Sequence, residues 1–163
     1  MLTVGDVVTA RVTSVQIFGV FCRCESHEIL VLIPDISWIA SFNSCDQFAE
    51  PGDELRVKII RFNSDKNQWV GTLKGLYSDP WKTDQLTPGT THLARVIRYV
   101  TKTDRCEGKP AYLMELVSGG YAMLCAHALD LKLGDQVPVM IQQSDPLRCA
   151  VKLAPMLGLS CER

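Results

Sequence analysis

The chain repeats itself once, and that repeat limits what it can fold into. Gly5-Asp6-Val7-Val8-Thr9-Ala10-Arg11-Val12 is echoed by Gly89-Thr90-Thr91-His92-Leu93-Ala94-Arg95-Val96. Pro51-Gly52-Asp53-Glu54-Leu55-Arg56-Val57-Lys58-Ile59 is echoed in turn by Leu133-Gly134-Asp135-Gln136-Val137-Pro138-Val139-Met140-Ile141. The offsets, 84 and 82 residues, are close enough to mark one duplicated unit with small insertions. A chain of 163 residues then holds two small domains rather than one large core. The reading places a first domain at 1–76, a polar, proline-containing linker at 77–87, a second domain at 88–158 and a tail at 159–163.

Each unit reads as all-β. Val8, Ala10 and Val12 alternate with Thr9, Arg11 and Thr13, the period of a half-buried strand. Leu55, Val57 and Ile59 do the same against Arg56 and Lys58, as do Val137, Val139 and Ile141 in the second unit. The stretch Phe62-Asn63-Ser64-Asp65-Lys66-Asn67 reads as a turn leading into Trp69-Val70-Gly71-Thr72-Leu73 as a hairpin partner. Five short strands in about 75 residues, with a longer connection after the third, fit a closed Greek-key barrel. Gly71 leaves a gap in that interior, and Trp69 is the expected filler.

Composition narrows the function classes. A net charge of −1, divided as −3 over residues 1–85 and +2 over 86–163, argues against gripping a duplex by bulk electrostatics. No apolar run is long enough to span a membrane as a helix, and no membrane partner is expected. The start, Met1 to Asp6, has no basic segment followed by an apolar run and cleavage site, so secretion is not expected. Seven cysteines is an odd number with no Cys-x-x-Cys, which predicts reduced thiols and a cytoplasmic setting. Cys22, Cys24 and Cys45 read as small core hydrophobes rather than a soft metal site, since a closed zinc site needs four ligands. No cofactor or metal is expected.

The run Ile17-Phe18-Gly19-Val20-Phe21-Cys22-Arg23-Cys24, then Val31-Leu32-Ile33-Pro34-Asp35-Ile36-Ser37-Trp38, resembles the S1 domain of bacterial ribosomal protein S1 and its relatives. That family shares the glycine-aspartate starts and the Leu-Lys close, here Leu73-Lys74. The resemblance implies two tandem five-stranded barrels of the oligonucleotide-binding (OB) fold, the second a degenerate copy. It also implies a face for single-stranded RNA on the second and third strands and the final hairpin. Phe18 and Phe21 stand at the family's two stacking positions, with Arg23 beside them; exposed rings suit this task because stacking tolerates any base. The polar positions have drifted. Pro34 replaces a common histidine, Asn63 a common aspartate, and Gln68 a common arginine whose guanidinium fork it cannot imitate. Lys58, Arg61 and Lys66 could supply charge nearby.

In the second unit, Leu113 or, one residue out of register, Tyr112 stands at the second ring position. The enlarged loop Thr101–Pro110 brings Lys102, Arg105 and Lys109 after Arg95 and Arg98, and Arg148 fits the family's final-strand arginine. None of His27, His92 and His127 has a partner at a telling spacing, and no phosphate loop or nucleophile elbow appears, so no enzyme is expected. Two functions stay open. One is an RNA-binding protein of weak to moderate affinity whose partner is single-stranded RNA, mRNA or rRNA. The other is an adaptor, for example ribosome-associated, whose barrels have lost most of that surface and dock onto protein.

Overall fold

The computed structural model describes residues 2–40, 44–103, 106–117, 120–125 and 130–156. His127, Asp104 and Arg105 of the enlarged loop, and the expected tail 159–163 lie outside them. The chain divides into two compact units, Met1–Ser37 with Asn43–Ser78, and Trp38–Phe42 with Asp79–Arg163. Both are all-β, as the alternation predicts. No helix among the described residues is long and apolar enough to cross a membrane.

The first unit holds β1 (Val7–Val15), β2 (Gly19–Cys24), β3 (His27–Leu32), β4 (Glu54–Asn63) and β5 (Gln68–Thr72). They close into a barrel in the order β1-β2-β3-β5-β4, with β3 and β5 parallel and the other pairs antiparallel. Val12, Val20, Cys22, Ile29, Val31, Val57 and Ile59 fill its interior, each at most 2% exposed. The repeated Gly-Asp pairs have a local cause. Gly52 sits at φ 98° and Gly134 at φ 88°, backbone that side-chain-bearing residues rarely adopt. Asp53 accepts the N–H of Glu50 at 3.0 Å and Asp135 that of Lys132 at 2.9 Å, so each aspartate fixes the turn its glycine makes.

Gly71 faces the interior, but Trp69 does not fill its place. A Cβ at Gly71 would lie 2.2 Å from Val57 Cγ1 and 3.1 Å from Ile29 Cγ2, so core side chains already occupy that volume. Trp69 instead stands at the barrel mouth, its ring centroid 4.7 Å from that of Phe62.

The second unit holds β6 (Thr91–Thr103), β7 (Lys109–Leu116), β8 (Gly120–Cys125), β9 (Gln136–Asp145) and β10 (Ala150–Pro155). The order β10-β9-β6-β7-β8 repeats that of the first barrel, cut open at one seam. Where β3 pairs with β5, β8 and β10 form no ladder among the described residues. Pairing registers make Leu153 the counterpart of Gly71, since Leu153 faces Ile141 as Gly71 faces Ile59. Leu153 projects into the core at 5% exposure, bulk that the glycine seam lacks.

Ile39 lies in that same core, 2% exposed, although it is encoded between β3 and β4 of the first unit. The Ala40 N–H donates to Cys149 O at 2.7 Å, and the Trp81 indole N–H donates to Trp38 O at 2.8 Å. Of the segment expected as linker, Tyr77 and Ser78 go with the first unit, while Pro80 and Leu86 are buried in the second. The expectation of reduced thiols fails at one pair. The loop after β6 brings Cys106 to a Cα separation of 5.6 Å from Cys125, and the two form a disulfide.

Candidate nucleic-acid interface

A one-residue bulge between Val12 and Ser14 sets the face of the second strand's rings. Beyond it Ser14 pairs with Phe21 and Val15 with Val20. Val20 and Cys22 both turn fully inward, and Phe21 and Arg23 stand on the outer surface. Phe18, in the turn before β2, is 51% exposed and meets half-buried Phe21 edge to face, centroids 6.1 Å apart. Gly19 between them is forced by close approach: a Cβ there would lie 2.9 Å from Val31 O. The Ile33 N–H donates to Phe18 O at 2.9 Å, which places exposed Pro34 beside the ring turn. Proline brings neither an imidazole nitrogen nor a backbone N–H to that position.

The polar half of the face is largely engaged within itself. Arg23 is exposed and stands across from Glu28. Gln68, 6% exposed, donates its amide to Glu28 Oε1 at 3.0 Å. Asn63 accepts the Asp65 N–H at 3.1 Å, holding the β4–β5 turn. Lys58 is half-buried on β4 opposite Thr72. A second bulge, between Ile59 and Arg61, turns Arg61 onto the outer face opposite Val70 and carries Phe62 to the mouth beside Trp69. Phe62, which its polar neighbours in sequence assign to the turn, is a strand residue.

The second unit has lost the ring. Val96 pairs with Met114 and, past a bulge, Arg98 with Leu113, matching Val12 with Cys22 and Ser14 with Phe21. This settles the register: Leu113 is the counterpart of Phe21, and Tyr112 faces the core, where its hydroxyl accepts the Leu131 N–H at 3.0 Å. Leu113 is fully buried. Glu115 stands where the first barrel has Arg23, and Arg95 donates to it at 2.6 Å. Exposed Arg148 lies 3.8 Å from Asp145.

Burial raises the Cys22 thiol to about 12, and burial followed by the Asp46 charge raises Cys45 to about 12. Both behave as core atoms. With a thiol reagent at pH 8, Cys24 and Cys149 are expected to react in minutes and Cys22 and Cys45 only after denaturation; mass spectrometry of the labelled peptides reads this, and early labelling of Cys22 would contradict its burial.

A closed five-stranded barrel with paired rings on the second strand's outer face defines the class of oligonucleotide-binding barrels. The first barrel is, more narrowly, an S1 domain: residues 2–74 match the S1 RNA binding domain family. The chain is 30% identical over 91 residues to small ribosomal subunit protein bS1 of Helicobacter pylori strain 26695, and 29% to that of strain J99. Each alignment covers 55% of this chain and 16% of the relative's length. Similar solved structures include GSP13 from Bacillus subtilis, at 26% identity and TM-score 0.41 over 47% of this chain and 58% of that one. A chain of the a/eIF2alpha-aDim2p-rRNA complex from Pyrococcus horikoshii shares 16% identity, TM-score 0.42, over 53% of each.

Proposed function

We propose that the chain binds single-stranded RNA without catalysing a reaction, through the outer face of its first barrel. The observation that carries this reading is the Phe18–Phe21 pair, one ring half in water and both on the face that also presents Arg23. Such rings stack on bases of any sequence. Affinity is weak to moderate, because Gln68 and Asn63 spend their polar groups inside the protein and Glu28 adds a negative charge. The RNA is mRNA or rRNA, met in the cytoplasm and in association with the ribosome. A buried Leu113 and a Glu115 carboxylate in place of Arg23 support a different task for the second unit, docking to protein.

Titrating fluorescent poly-U against the wild type and a Phe18→Ala/Phe21→Ala variant tests the reading. Each stacked base contributes about 1–3 kcal/mol, so losing both rings should weaken binding at least tenfold. A folded wild type that binds no RNA at low salt would rule the function out.

A further inference from the structure

The first barrel carries a second group of rings. Phe62 on β4, 42% exposed, lies 4.7 Å from Trp69 on β5 at a tilt of 56°, and Trp69 meets His27 of β3 edge to face at 6.4 Å. We propose that Phe62, backed by Trp69 and His27, is a second base-stacking site that extends the RNA path from Phe18 and Phe21. The inference rests on the RNA-binding reading and names where a longer strand goes next.

Packing does not demand these rings. The interior beneath them is full, as the 2.2 Å approach to Val57 at Gly71 shows. The second unit meets the same geometry without them: Ser144 and Val151, paired with each other, are the counterparts of Phe62 and Trp69. The bulge after Ile59 is what brings Phe62 to the mouth and Arg61 to the outer face in consecutive positions. Arg61, exposed on the outer face, precedes Phe62 in the chain and exposed Lys66 follows in the turn, so cations for phosphate stand on the chain to either side of it. The outer row from Phe21 runs through Leu30 and Val70 to Arg61, three strand spacings or about 14 Å at roughly 4.8 Å each, and Phe62 follows Arg61 at the mouth. That span lies inside the four or more nucleotides that one such barrel holds.

The test compares U4 with U12 on the full chain, using wild type, Phe62→Leu and Phe62→Tyr. Leucine keeps apolar cover at the mouth and removes the π face; tyrosine keeps it. Phe62→Leu is expected to weaken U12 about fivefold to a hundredfold while leaving U4 within twofold, and Phe62→Tyr to bind both as wild type does. Trp69 is the first unit's single tryptophan, so its indole N–H resonance should shift with U12 and not with U4. Equal U12 affinity for wild type and Phe62→Leu, with an unmoved indole signal, would overturn the second site. If U4 and U12 binding both vanish only in Phe18→Ala/Phe21→Ala, the RNA reading stands without this extension. A wild type that binds neither oligomer sinks both.

Discussion

Gly71→Ala is expected to destabilise the first barrel by about 3 kcal/mol, near the top of the range for overpacking one methyl group. The new Cβ would sit 2.2 Å from Val57 Cγ1, 3.1 Å from Ile29 Cγ2 and 3.3 Å from Lys58 O. Two of these neighbours are β-branched and stiff, and the third is backbone, so none yields cheaply. Val57→Ala alone should also destabilise by opening a cavity. Combining the two should cost less than the sum, because the deleted Cγ1 is the atom in the way. Thermal denaturation followed through Trp69 reads this directly. Strict additivity would show that the clash is relieved elsewhere.

Ile39→Ala is expected to remove about 2–5 kcal/mol from the second unit, the usual range for truncating a buried isoleucine. The residue is encoded inside the first barrel's sequence, yet its 2%-exposed side chain packs in a core that includes Tyr112, Met114, Leu124 and Ile141. Denaturation followed by amide signals of β7 and β9 should shift to lower denaturant, while those of β2 and β3 hold their midpoint. Loss of the first barrel instead would contradict the assignment of Ile39 to the second core.

The barrel strands are legible in the sequence because their alternation and their Gly-Asp turns are local. Gly52 and Gly134 record a positive φ that the turn requires, and a duplicated unit repeats that requirement. The bulges are not legible. One extra residue at Ile60 exchanges faces, so a strict period would place Arg61 inside and Phe62 outside. Phe18 and Phe21 are visible through the family resemblance, whereas the turn-like composition around Phe62 conceals it. The sequence points to Trp69 as filler for space that Val57 and Ile29 already hold, because volume between strands distant in sequence leaves no pattern along either. The Cys106–Cys125 bond is hidden for the same reason, as it depends on where a loop returns rather than on cysteine spacing.

The Trp38–Ala40 segment gives the molecule an order of assembly. A chain emerging from its N-terminus can close β1 to β5 first, but Ile39 must then wait for β9, about a hundred residues later, before it is covered. Contacts of such long separation slow folding and lengthen the time an apolar group spends in water. Proteolysis or gene splitting between the barrels would therefore not yield two intact halves. The N-terminal piece would keep an isoleucine with no core to enter, and the C-terminal piece would lack one. Mixing the pieces would restore the second barrel only when the first supplies its strap, so the duplicated halves are spliced together at a point well before the junction between them.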